Sequence, residues 1–249
     1  MKHFGLIGRV LTHSFSKKYF DEKFTTLGNE CYDYGLYELQ SVGEVPDLIS
    51  SCHLSGFNVT IPYKQAIIPY LDELSDEARR VGAVNVVKVD YGSTGKPYLI
   101  GYNSDVYGFE HSLRPLLKPN HSHALILGTG GASKAVAYVL ENLNICYKLV
   151  SRQKADNNIF SYDDVDSILL STHHLVVNAT PLGMYPCVDQ CPHIDYRGLT
   201  SDHLCYDLIY NPATTLFLSR SYARGASIKN GMDMLLLQAE KSWKIWTND

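Results

Sequence analysis

The stretch HALILGTGGASKAVAYVLENL, residues 123–143, decides the fold. Ala124, Leu125, Ile126 and Leu127 form an unbroken apolar run, as expected of a strand covered on both faces. Gly128, Gly130 and Gly131 then make a turn, and the residues after them read as a helix. Strand, glycine turn and helix in that order suit a dinucleotide-binding unit. Glycines permit the tight turn, let backbone approach a pyrophosphate and aim helix N–H groups at it. The spacing is G-x-G-G-A rather than G-x-G-x-x-G, so an ordinary glycine turn is the competing reading, and the element order favours the dinucleotide.

Working outward from that turn, CYKLVSR (146–152), HLVVNAT (174–180) and HLCYDLIY (203–210) are further strand candidates. Upstream lies a second alternating set. HFGLIG (3–8), YDYGLYEL (32–39), GFNVT (56–60) and AVNVVKV (83–89) read as strands, with helices over 16–27, 44–52 and 62–74 between them. VDYGSTGKPYLIGYN (89–103) reads as a hairpin turned at Gly92, Gly95 and Pro97. The chain closes on an amphipathic helix, MDMLLLQAEKSWKIW (232–246). The expectation is an α/β protein of two domains. One is an N-terminal α/β substrate domain formed by 1–104 plus 232–249, its C-terminal helix packing back on it. The other is a Rossmann-like dinucleotide-binding domain over 105–231.

An acidic residue after the second strand of such a unit would select NAD, and an arginine would accommodate the extra phosphate of NADP. Here the strand ends on Ser151 and Arg152, with Lys154 beyond. A guanidinium holds phosphate bidentately and stacks on adenine, so NADP is expected, although an ordinary surface arginine is the plainer reading of Arg152 alone.

The chain has 249 residues, 45% hydrophobic and 19% charged, with a formal net charge of −4, which excludes a basic nucleic-acid or membrane-surface binder. No apolar run is long enough for a membrane span, and the first residues carry no cleavage pattern. Six scattered cysteines make no disulfide framework and point to a reducing cytoplasm. Cys187, Cys191 and His193 lack a convincing fourth ligand, so they are read as loop residues and no metal is expected. The ten histidines fall largely at element edges; His121, His123, His173 and His174 are assigned to surface or loop positions, and His13 to the pocket border.

Interconverting an alcohol and a ketone needs a group that moves the hydroxyl proton. Lys64, just past Pro62 in GFNVTIPYK (56–64), and Asp105 in GYNSDVYGF (101–109) are the candidates, expected to border a cleft between the two domains. An ammonium suits protonating a ketone oxygen; as a base for the reverse step it needs desolvation or a higher pH. Cation placement in a first helical turn opposes the helix dipole, which weakens a purely surface role for Lys64. For Asp105 a helix-cap role stands beside the catalytic one.

Over nearly its whole length the chain resembles the shikimate dehydrogenase family. The resemblance is carried by HSFS (13–16), NVTIPYK (58–64), GAVNVV (82–87), GYNSDVYG (101–108), GTGGA (128–132), NATPLGM (178–184), YDLIYNPATT (206–215) and NGMDMLLLQAE (230–240), in the family's order. It implies NADP-dependent, reversible reduction of 3-dehydroshikimate to shikimate, a cytoplasmic step toward chorismate and the aromatic amino acids. Lys64 and Asp105 would be the catalytic pair, with Ser14, Ser16, Thr60, Asn85, Tyr210 and Gln238 lining the substrate pocket. Many neutral hydrogen-bonding groups suit a small hydroxylated ring acid, since each can tell a hydroxyl from its absence. The cofactor set would be Gly128, Thr129, Gly130, Gly131, Ala132, Ser151, Arg152, Thr180, Leu208 and Gly231, with Asp76 in a minor contact. Departures from the family pattern include Lys17, Val86, Ser104, Asp233 and the run Ser151-Arg152-Gln153, which thins the phosphate clamp. The alternatives are therefore an NAD-preferring quinate/shikimate dehydrogenase and a nucleotide-binding homologue without catalysis. A monomer or a homodimer fits equally.

Overall fold

The computed structural model describes residues 1–11, 14–28, 31–93, 95–152 and 159–248; His13 and Lys154 lie outside them. The chain divides into two compact units, Met1–Ser104 with Gln238–Asp249, and Asp105–Leu237.

The first unit is built on a six-stranded mixed sheet: β1 (Lys2–Gly8), β2 (Tyr32–Glu38), β3 (Leu54–Val59), β4 (Glu73–Leu74), β5 (Val86–Asp90) and β6 (Tyr98–Tyr102), in the order β2-β1-β3-β5-β6-β4. β5 and β6 are antiparallel, as a hairpin requires. Side chains alternate across a strand, and here the two faces feed two cores. Ile7, Phe57, Val59, Val87 and Val89 pack on one face with Val45 and Ile49 of α2 (Val45–Cys52) and Tyr63 of α3 (Tyr63–Ala66). Phe4, Leu6 and Val86 pack on the other with Phe20 and Phe24 of α1 (Phe15–Thr26) and Ala239 and Trp246 of α9 (Met232–Thr247). The Trp246 ring stacks on Phe4 at 4.7 Å and its Nε1 donates to the Val87 carbonyl at 3.0 Å. The closing helix thus does pack on the first unit.

The helix expected over 62–74 is corrected. Only the four residues of α3 are α-helical; a 3-10 turn follows at Ile68–Tyr70, and Glu73–Leu74 is β4. Pro69 explains the break, because it brings no N–H and its ring crowds the carbonyl one turn earlier. The next helix, α4 (Asp76–Val81), carried too short an apolar pattern to be foreseen.

The second unit holds α5 (Ser104–Leu113) from its second residue on, then β7 (His123–Leu127), α6 (Gly131–Asn142), β8 (Cys146–Ser151), β9 (Ile159–Ser161), α7 (Ser167–Leu170), β10 (Leu175–Asn178), β11 (Leu204–Asp207), α8 (Leu216–Tyr222) and β12 (Ser227–Lys229). Its strand order is β12-β11-β10-β7-β8-β9, and every neighbouring pair is parallel. That is the doubly wound dinucleotide-binding order, whose reversal point lies between β7 and β10; ligands of such sheets bind beyond the strand C-termini there. Leu125, Leu127, Val150, Val176 and Cys205 form a core with Leu170, Phe217 and Leu218.

The histidines are a second correction, in part. His121 and His173 lie in loops as expected, and His123 is exposed, but His121 and His173 are buried at 3% and 7% exposure, as is His203 at 1%. They stand at the strand N-termini. His203 receives the Thr200 N–H on Nδ1 and faces the Leu170 carbonyl through Nε2, both at 3.0 Å. Among the described residues no helix is long and apolar enough to cross a membrane.

Candidate functional site

Each unit presents one group of the expected residues. In the first, Ser14 caps α1, accepting the Lys17 N–H at 3.2 Å, and Ser16 sits in the following turn. The Ser16 hydroxyl lies against that of Tyr34, which donates to Asn58 Oδ1 at 2.8 Å. Asn58 Nδ2 donates to the Asn85 carbonyl at 3.2 Å and to Ser242 Oγ at 3.0 Å. Asn85 in turn donates from Nδ2 to Gln238 Oε1 and to Ser104 Oγ, both at 3.1 Å, while its Oδ1 receives the Ser104 N–H at 2.7 Å. Ser16, Asn85 and Gln238 are therefore joined, through Tyr34, Asn58, Ser104 and Ser242, into one network. Asn58 faces it because Phe57 and Val59 on either side face the opposite core.

Thr60 and Lys64 are held by backbone. The Thr60 N–H donates to Ile7 at the end of β1, and its carbonyl receives the Tyr63 N–H, each at 2.9 Å. The Lys64 carbonyl receives the Val84 N–H at 2.7 Å, tying α3 to the GAVN segment that carries Asn85. The Tyr63 hydroxyl bonds the Leu39 carbonyl at 2.5 Å, fixing the helix that bears the lysine. Lys64 is half-buried. Asp76 is exposed in the first turn of α4, where a carboxylate complements the helix dipole.

In the second unit, Asp105 lies within the first turn of α5, 4% exposed. Gly128 follows β7 with φ +109°, and a Cβ there would stand 3.0 Å from Thr180 Cγ2 and 3.2 Å from the Ala179 carbonyl, so both conformation and space require glycine. Gly130 caps α6 and Gly131 begins it. A Cβ on either would meet no atom within 4 Å. Their glycines are not demanded by the protein's own packing; they leave clear ground before a helix N-terminus whose first turn holds no acidic residue. Thr129 is exposed and Ala132 half-buried on the same turn. Ser151 ends β8, and Arg152 after it is exposed. The residues present fit a dinucleotide.

Leu208 and Gly231 are brought together tightly: a Cβ on Gly231 would stand 2.6 Å from the Leu208 carbonyl carbon and closer still to its oxygen. Tyr210, two residues on, is half-buried, and burial raises its hydroxyl pKa. Beneath these lies a group that sequence reading missed. Asp207, Asn178 and Thr215 are 0%, 0% and 1% exposed. Asp207 Oδ1 receives Asn178 Nδ2 at 3.1 Å and the Ile209 N–H at 3.0 Å, and its Oδ2 receives the Thr215 hydroxyl at 2.6 Å. Burial pushes its carboxyl up to about 6 against those three donors. A charged residue closing an apolar strand was the available signal. Among the described residues no group of three His, Cys, Asp or Glu side chains is arranged to hold a metal.

A doubly wound parallel sheet with a clear glycine turn at its reversal point defines a nucleotide-binding α/β protein. Residues 6–87 match the model of the shikimate dehydrogenase substrate binding domain. A shikimate dehydrogenase (NADP(+)) from Carboxydothermus hydrogenoformans is 38% identical over 98% of this chain and 90% of its own. The structure of shikimate 5-dehydrogenase from Thermus thermophilus in complex with NADP(H) and shikimate superimposes with a TM-score of 0.85 at 28% identity, covering 100% and 94% of the two chains. A quinate dehydrogenase from Corynebacterium glutamicum, in complex with NAD, gives 0.87 at 26%, with the same coverage. The chain belongs to the shikimate dehydrogenase family.

Proposed function

We propose that the protein catalyses the NADP-dependent, reversible reduction of 3-dehydroshikimate to shikimate in a reducing cytoplasm. The observation that carries the reading is the network joining Ser16, Asn85 and Gln238 on the face of the first unit covered by α1 and α9. Besides tying α9 to the sheet, the cluster offers neutral donors and acceptors that match a ring acid with several hydroxyls. Whole-length likeness to relatives named shikimate dehydrogenase (NADP(+)) supports it.

Ser14, Ser16, Thr60, Asn85, Tyr210 and Gln238 hold the substrate. Lys64 donates the proton to the carbonyl oxygen on reduction and takes it back on oxidation, and Asp105 assists that transfer. The glycine turn Gly128–Gly131 with Ala132, and Thr180, Leu208 and Gly231, would hold NADP, with Arg152 and Ser151 at its extra phosphate and Asp76 in a minor contact. When bound, the cofactor supplies or accepts the hydride. The network fixes the ring, and the rigid α3 aims Lys64.

A rate assay at 340 nm, crossing shikimate and quinate with NADP and NAD, tests this. Shikimate with NADP is expected to be the fastest pair. Lys64→Ala should cut kcat at least a thousandfold while KM for shikimate stays within a few fold, and undiminished turnover would remove Lys64 from the chemistry. The likeness to the NAD-bound quinate dehydrogenase keeps a second reading, in which quinate with NAD is fastest.

A further inference from the structure

The last rung of the second sheet sits directly under the residues assigned to the cofactor. Leu127, Asn178 and Asp207 are partners across β7, β10 and β11, and Gly128, Ala179 and Leu208 come next along each strand. Two side chains of that rung bond to each other. A carboxylate only accepts, so Asp207 compels the Asn178 amide to turn its Nδ2 inward. The amide oxygen must then point the other way. There it receives both the Thr180 N–H at 3.1 Å and the Thr180 hydroxyl at 2.7 Å. With its proton thus committed, Thr180 Oγ1 accepts the Leu182 N–H at 3.2 Å. Asp207 Oδ1 meanwhile takes the Ile209 N–H, setting the peptide that follows Leu208, whose own N–H bonds the Asn178 carbonyl at 3.0 Å.

We infer that Asn178 and Asp207 are positioning residues. The carboxylate fixes which way the amide faces, and the amide fixes how Thr180 is presented to the dinucleotide. This rests on the cofactor reading of Gly128, Thr180 and Leu208 given above. The arrangement has a direction: removing the acceptor character of Asp207 frees the Asn178 amide to flip, and Thr180 then meets an NH2 group instead of an oxygen.

Asn178→Asp tests it. Two carboxylates would then face each other across about the 3.1 Å that now separates amide and acid, and such a pair must share a proton. Apart from that partner, the groups facing Asp207 are the Thr215 hydroxyl and the Ile209 N–H, both uncharged. While the proton is shared, the geometry survives. Once it is lost at higher pH, the strand ends are pushed apart. The expected result is a Kd for NADPH, read by nicotinamide fluorescence, near the wild-type value at pH 5.5 and at least tenfold weaker at pH 8.5. KM for shikimate should hold within about twofold. Adding Asp207→Asn removes the second carboxylate and should abolish the pH dependence. A merely structural pair would lower the melting temperature and leave the Kd flat with pH. That result, or a wild-type Kd in Asn178→Asp throughout, overturns the inference. The fluorescence titration needs no turnover, so a wild-type protein that binds NADPH but fails to oxidise shikimate would refute the proposed activity and leave this test standing.

Discussion

Replacing Gly231 by alanine isolates one steric fact. The backbone of Gly231 has no positive φ, so alanine suffers no conformational penalty there, and the whole effect comes from space. The new Cβ would stand 2.6 Å from the Leu208 carbonyl carbon, where ordinary contact begins at 3.4 Å. Against that carbon the shortfall is about 0.8 Å, and against the nearer Leu208 oxygen it is more than 1 Å; no flexible side chain is available to absorb it, since the obstacle is backbone. Leu208 must move, or the start of α9 must. Overpacking of this kind costs roughly 1–3 kcal/mol of stability. Displacing a binding group by about 1 Å costs on the order of a hundredfold in rate. Gly231→Ala should therefore lower the melting temperature by about 2–12 °C and reduce kcat/KM for NADP by roughly ten- to a hundredfold. Initial-rate kinetics with varied NADP, beside a thermal melt, measure both. A variant that keeps wild-type melting and cofactor kinetics would mean that Leu208 and Gly231 do not meet as described.

Three other outcomes are expected. Arg152→Ala should raise KM for NADP at least tenfold and leave KM for NAD nearly unchanged; an equal effect on both would take Arg152 away from the extra phosphate. Trp246→Ala should destabilise the protein by ~3–5 kcal/mol in urea unfolding, because it removes the stack on Phe4 and the bond to Val87; a loss under ~1 kcal/mol would contradict this packing. Burial holds His121, His173 and His203 below their ordinary pKa. Their neighbours include His123, His174, Lys118, Lys148 and Asp202. The unfolded chain therefore binds protons first, so their contribution is complete above pH ~6.5 and is lost as pH falls through the folded values. Asp207, raised to about 6, works in the opposite sense, favouring the fold at lower pH. In an Asp207→Asn background, which removes that opposing contribution, the melting temperature should drop between pH 7 and pH 5; a flat profile there would show that these rings are solvated.

The fold was legible in the sequence wherever a pattern was local. The run from Ala124 to Leu127 followed by Gly128 needs only neighbours to be read, and so does the alternation around Asn58. The extent of α3 does not show in the pattern, because the apolar residues up to Leu74 keep helical spacing while Pro69 lacks the N–H that a continued helix would need. β9, β12 and α7 are three or four residues long, too short for any period to register. In the site, Asn85 and Gln238 came from motif resemblance, and their direct bond joins residues 153 positions apart. Asn178, Asp207 and Ser242 were overlooked because each looks like an ordinary polar residue until its strand or helix register assigns it a face. His121 and His173 fall in the expected loops, but loop position alone does not reveal that their rings turn inward.

The empty ground before Gly130 and Gly131 has a practical meaning for anyone altering this protein. Alanine is a better helix former than glycine by roughly 0.5–1 kcal/mol, and a methyl group at Gly131 would touch nothing in the chain. A library sorted by heat resistance or expression yield would therefore accept alanine there, even reward it. Only a selection that withholds the pathway's product, so that growth depends on the enzyme, would notice cofactor binding weakened there.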